Sequence, residues 1–186
     1  MTQVGTFDSA DLSTSSPALV GILMGSDSDL SVMQEAAKVL EEFGIGFEIH
    51  VMSAHRTPAA VVDYVKKGEA AGYKAFIASA GMAAHLAGVV AAHTALPVIG
   101  VPLGKTDGLD ALLSTVQMPP GVPVATVAVN GAKNAGILAA QIIGASDPAL
   151  REKVAAYKQK MSAEVSAKDA KLQEKGYKKY LEEKGA

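Results

Sequence analysis

Residues 18–29, "ALVGILMGSDSD", decide the fold class. An almost unbroken apolar run ends at Gly25, and two serines and two aspartates follow before a helical pattern begins. A short continuous apolar run suits a strand covered on both faces, as in a parallel sheet. The pattern after it is helical. Met33, Ala36, Ala37, Leu40 and Phe43 share one face of residues 28–44, and Gly44 can end the helix.

Four more runs repeat the unit: "FEIHVM" (47–52), "KAFIASA" (74–80), "PVIGVP" (97–102) and "PVATVAV" (123–129). Between the second and third strands, Thr57 is a natural N-cap and Pro58 occupies the first helical position. Val61, Val62 and Val65 then form the apolar stripe. Residues 83–95, "AAHLAGVVAAHTA", are apolar nearly all round and predict a deeply buried helix or a subunit contact. Helices near 108–117 and 131–144 follow. Alternating strands and helices imply right-handed βαβ units and a parallel sheet. The fold class is therefore α/β: a three-layer sandwich with a five-stranded, flavodoxin-like parallel sheet and an extended C-terminal helix.

Length and charge set the remaining bounds. The 186 residues suit one domain with a substantial core, read as residues 18–165. Residues 1–17 are polar, lack a basic segment followed by an apolar one, and read as a flexible arm rather than a signal peptide. Residues 166–186 read as a charged helical tail. In the helix before it, Leu150, Val154, Tyr157, Met161 and Val165 form one stripe that reaches beyond the compact unit. With no cysteine, neither disulfides nor thiolate metal sites are possible. No apolar run reaches the roughly 18–20 residues of a membrane span, and the chain reads as cytoplasmic. Residues 145–186 carry ten Lys/Arg against seven Asp/Glu, and residues 1–144 carry seven against twelve. The tail's mixed signs suit a solvated helix, and the acidic balance with no basic–aromatic face argues against nucleic acid.

Ligands of an open parallel sheet bind beyond the carboxyl ends of its strands. Three loops leave such ends. In "MGSDSD" (24–29), Gly25 permits a tight turn, and Ser26, Ser28 and the helix start can receive a phosphate. Asp29 can accept hydrogen bonds from ribose hydroxyls. Equally, Ser28 or Asp29 could simply cap the helix. In "VMSAHRTPAA" (51–60), Ser53, Ala54, His55 and Arg56 leave strand two together. Arg56 and Arg151 are the only arginines, and a guanidinium offers a rigid fork for phosphate. His55 can move a proton near neutrality. In "SAGMAAHLAG" (79–88), Ser79, Ala80, Gly81, Met82 and Ala83 are mostly small, so a ligand can approach the backbone. His85 follows at a spacing that favours a buried structural histidine. His50 and His93 come without partners, and no metal-ligand spacing links the histidines.

With these loops in view, the chain resembles the N5-carboxyaminoimidazole ribonucleotide mutase family, the catalytic subunits of phosphoribosylaminoimidazole carboxylase. The resemblance runs from about residue 18 to 150. It rests on "GILMGSDSD", "SAHRTP", "AAHLAGVVAAHTALPVIGVP", "STVQMPPGVPVATVAVN" and "AKNAGILAAQI" in order. It implies a flavodoxin-like fold, a small-molecule ribonucleotide substrate, a homo-octamer with sites between subunits, and no metal or organic cofactor. Ser26, Asp29 and Arg56 match the phosphate and ribose contacts, and His55 matches the proton-transfer histidine. The loop 79–88, with His85 and Leu86, matches the pocket for the migrating carboxyl group.

"SAHRTP" with "AAHL" points to the bacterial mutase branch. The branch that carboxylates aminoimidazole ribonucleotide directly from CO2 reads "SAHKT" and lacks the second histidine. Two positions depart from the mutase pattern "GGAAHLPG": Met82 replaces a glycine and Ala87 a proline. Leu30 stands where tryptophan is commoner. The alternatives are the direct carboxylase, a flavodoxin-like FMN carrier and a non-catalytic nucleotide-binding module.

Overall fold

The structure, a computed structural model, describes residues 17–104 and 107–185. Residues 1–16 of the expected arm lie outside the described residues. In chain order come β1 (Ala18–Met24), a single 3-10 turn (Asp27–Asp29), α1 (Leu30–Phe43), β2 (Gly46–Val51), α2 (Pro58–Ala70) and β3 (Ala75–Gly81). Then follow α3 (Leu86–Ala91), β4 (Val98–Leu103), α4 (Leu109–Val116), β5 (Ala125–Thr126), α5 (Ala132–Gly144), α6 (Pro148–Lys175) and α7 (Tyr177–Glu183).

All four pairings are parallel, and the strand order is β2-β1-β3-β4-β5. Helices cover both faces because strand residues alternate between them. Val20, Ile22 and Met24 of β1 join one core with Met33, Leu40 and Phe43 of α1 and the alanines of α5. Leu23 faces the other way, into a core with Val61 and Val65 of α2 and Leu86 and Val90 of α3. Gly44 ends α1 at φ 72, the left-handed cap the sequence predicts. In α2 the buried stripe is Val61, Tyr64 and Val65, and Val62 is only half-buried. Tyr64 packs edge-on to Tyr73 and Phe76. Among the described residues its hydroxyl meets no partner at hydrogen-bond geometry. Burial, then the nearby Tyr73 and Glu48, push its ionisation far above the ordinary range. Burial likewise pushes Tyr73 up to about 12.

Two expectations need correction. The fifth strand holds ladder pairing only over Ala125–Thr126, not 123–129. Pro123 has no N–H to give, and the left-handed residue Asn130 (φ 58) turns the chain away after Val127. The helix within 83–95 shrinks to Leu86–Ala91, because Met82 (φ 56) delays its start and Pro97 opens the next strand. It buries Leu86, Ala87 and Val90, whereas Ala92, His93 and Ala95 are exposed. The α6 stripe does reach beyond the compact unit, being buried only at Leu150 and Val154. Tyr157 meets Phe43 edge-on at 5.5 Å, and Met161 and Val165 stand exposed. α6 runs unbroken through residue 165, so the tail begins inside a helix. α7 folds back at Gly176 and pairs Glu183 with Lys171 and Lys175.

Candidate active site

The strand register brings three loops level. Met24 pairs with Val51 on one side and Ser79 on the other, so β1, β2 and β3 release their chains at one sheet edge. Strand order changes direction beside β1, and that crevice is where ligands of this architecture bind. A cavity of about 360 Å³ opens there, lined by Gly25, Ser26 and Asp29, by Ser53, Ala54, His55 and Arg56, and by Ala80, Gly81, Met82, Ala83, His85 and Leu86. Two residues named from the sequence do not line it. Ser28 faces the turn, and Ser79 is fully buried with its hydroxyl donating to Leu23 O at 3.4 Å.

The first loop is a capping box. Ser26 N–H donates to Asp29 Oδ2 at 3.1 Å, and the Ser26 hydroxyl accepts from Ser28 N–H at 3.4 Å. Capping and cavity lining coexist here, with Ser26 and Asp29 as the reciprocal pair. Asp29 is 7% exposed, so its carboxylate is held in one orientation.

The second loop is clasped on itself. The Ser53 hydroxyl accepts from the amides of His55 (3.3 Å) and Arg56 (3.2 Å). Thr57 sits at the N-cap of α2, yet its hydroxyl does not cap that helix. It accepts from Ser53 N–H at 2.9 Å and donates to Ser53 O at 3.1 Å, because the tight loop brings Ser53 closer than the helix amides. Arg56 Nη2 then donates to Gly25 O at 2.6 Å, tying the second loop to the first. One arm of the fork is spent on that carbonyl, and the guanidinium charge stays at the cavity wall.

The third loop corrects the reading of His85. It is exposed, not buried, and its Nδ1 lies 2.9 Å from His55 Nε2, with the rings edge-on at 78°. Such a bond requires that one of the two facing nitrogens carry a proton and the other a lone pair. Two imidazoles in that relation can pass a proton between them. Met82 lines the cavity at φ 56, a conformation glycine adopts freely and other residues rarely do. The glycine that the resemblance places at this position thus answers a backbone demand.

His50 and His93 lie elsewhere. His50 does have partners, Glu48 at 3.2 Å and the Tyr64 ring at 4.6 Å. His93 Nδ1 contacts Val89 O at 2.8 Å. Among the described residues, no three His, Asp or Glu side chains converge as a metal site would require. Among the same residues, no helix is long and apolar enough to cross a membrane. Sequence reasoning missed Ser114, whose hydroxyl reaches this loop from α4; at 30 residues' separation from Ala84, no local motif signals it.

A family model described as AIR carboxylase matches residues 19–164. This chain belongs to the AIR carboxylase family. It is similar to the N5-carboxyaminoimidazole ribonucleotide mutase of Thermotoga maritima, 58% identical over 89% of this chain and 98% of that protein. The Synechocystis protein of the same name is 52% identical over 91% and 98% of the two chains. A Candida glabrata phosphoribosylaminoimidazole carboxylase is 53% identical over 89% of this chain, which spans 30% of that longer protein. Among solved structures, Treponema denticola PurE superposes with a TM-score of 0.77 at 34% identity, covering 83% of this chain and 98% of that one.

Proposed function

We propose that this protein moves a carboxyl group from N5 to C4 of carboxyaminoimidazole ribonucleotide, a step of purine (IMP) biosynthesis and thus an isomerase reaction. The observation that carries the proposal is the His55–His85 pair in a cavity that the Ser26–Asp29 turn, tied to Arg56 through Gly25 O, also lines. Arg56 and the Ser26 turn hold the phosphate, and Asp29 accepts from the ribose. That anchoring places the aminoimidazole ring over His55.

His55 gives a proton to the exocyclic nitrogen, which weakens the N–C bond of the carbamate and releases CO2. The backbone of Ala80 to Ala83 walls the space in which CO2 waits, away from water. The electron-rich C4 attacks CO2, and His55 removes the C4 proton. The proton count is unchanged over the cycle, so the His55 imidazole serves both steps, held in place by its bond to His85, and neither metal nor organic cofactor is drawn in. The substrate comes to a cytoplasmic homo-octamer whose sites lie between subunits. The exposed side chains of Leu109, Leu113 and Val116 on α4 give such an assembly an apolar face to cover.

The second reading is direct carboxylation of aminoimidazole ribonucleotide. The paired second histidine favours the mutase. Purified protein incubated with the carbamate substrate, without metal or ATP, should form the C4 carboxylate. Dependence on added bicarbonate and aminoimidazole ribonucleotide instead would favour direct carboxylation. His55→Asn should retain nucleotide binding and lose turnover; near-normal turnover by that variant would end the shuttle assignment.

A further inference from the structure

Ser114 lies on α4, outside the cavity lining, and no step above uses it. Its hydroxyl nevertheless meets the third loop: Ala84 N–H donates to Ser114 Oγ at 3.0 Å, and Met82 O lies 3.4 Å from it. A hydroxyl has one proton to give. Asp110 O at 2.8 Å competes for it with Ala111 O at 3.3 Å and Met82 O, and the shortest bond prevails. That bond to the preceding helical turn fixes the rotamer and leaves a lone pair aimed at Ala84 N–H. Ala84 is 1% exposed, and among the described residues its amide has no second acceptor. The next residue is His85.

We propose that Ser114 is a positioning residue. By holding Ala84 it sets where His85 sits, and so maintains the 2.9 Å approach of the two imidazoles. The left-handed backbone of Met82 makes this anchor necessary, because a side-chain-bearing residue keeps that conformation only when its surroundings impose it. The kinetic half of the inference rests on the mutase reading; the structural half does not.

The test compares Ser114→Ala with Ser114→Thr, which keeps the hydroxyl and its bond to the preceding turn. In Ser114→Ala, kcat should fall about tenfold, the scale of one buried hydrogen bond. KM should stay within about threefold, because the phosphate-side loops are untouched and only a transition-state arrangement is lost. Ser114→Thr should restore kcat. In the ligand-free protein, the imidazole 15N resonances of His55 and His85 should shift in Ser114→Ala but not in Ser114→Thr, while those of His93 stay fixed. If Ser114→Ala does not fold, Ser114→Cys, nearly the same size and a weak acceptor, should show the same pattern. Wild-type kcat in the folded hydroxyl-free variant, unmoved His85 resonances, or equal impairment of the threonine variant would each overturn the inference. A wild-type protein that does not turn over the carbamate would end the mutase reading instead, and the resonances would still decide Ser114.

Discussion

Replacing Arg56 with alanine tests the anion side of the cleft in isolation. The side chain is exposed and, among the described residues, makes one bond, from Nη2 to Gly25 O. Its backbone amide bond to the Ser53 hydroxyl survives the substitution, so the loop carrying His55 stays clasped. Folding stability should therefore change by no more than about 0.5 kcal/mol. Binding should change by much more. A hydrogen bond to a charged group contributes about 1.5–3 kcal/mol, which corresponds to a KM raised about 10- to 100-fold. The imidazole pair does not touch the guanidinium, so kcat should stay within about threefold. Lysine at this position should recover part of the loss, since its ammonium keeps the charge but lacks the fork that serves Gly25 and a phosphate together. Steady-state kinetics on the carbamate, with direct titration of the nucleotide product, separates these quantities. An unchanged KM, or a loss confined to kcat, would refute the placement of the phosphate at Arg56.

Substitutions at three further positions probe the scaffold. Gly136→Ala would place a Cβ 2.9 Å from Ala36 O and 3.1 Å from Val39, where α5 lies against α1. A helix-propensity gain of about 1 kcal/mol then meets an overpacking cost of about 1–3 kcal/mol, so urea denaturation should show a net loss; a more stable variant would contradict this packing. Met82→Gly removes a left-handed cost of about 1–2 kcal/mol and adds about 0.5–1 kcal/mol of chain entropy, so stability should hold or rise. Met82→Val should destabilise, and an equal melting temperature for the two would refute the strained assignment. Tyr64 and Tyr73 have folded-state ionisation raised above the unfolded value near 10, so their contribution is complete below pH 10 and falls as pH climbs toward 12 and beyond. Between pH 10 and 12 the stability of Tyr64→Phe should fall less steeply than that of wild type, by up to about 1.4 kcal/mol per pH unit; parallel curves would count against a buried, protonated Tyr64.

Much of the site was readable because the first three strands carry their own punctuation. Each apolar run stops at small or polar residues, and Gly25, Ser53 and Gly81 mark where the chain leaves the sheet. What the sequence hid is contact made at a distance. The spacing of His85 within 79–88 suggests burial; only the fold shows that a ring 30 residues earlier stands beside it. Ser114 has the same character. The overlong reading of residues 83–95 and of 123–129 has a different cause. Periodicity registers apolar residues but not the backbone reversals at Met82 and Asn130 that truncate the elements. Thr57 does stand at the N-cap, but its hydroxyl serves Ser53, since cap propensity says nothing of a closer competitor.

The level exit of the three strands has a consequence for how such a chain can vary. A strand advances about 3.3 Å per residue and turns its side chains over at each step. One residue inserted in β1 above Met24 would carry the Gly25 turn past its neighbours, pull Gly25 O out of Arg56's grasp, and exchange the two cores that Ile22 and Leu23 now serve. Loops at this edge can be rewritten residue by residue, as position 82 illustrates. Strand lengths cannot drift independently, because the distance between the Ser26 turn and the imidazole pair is measured out by the sheet itself.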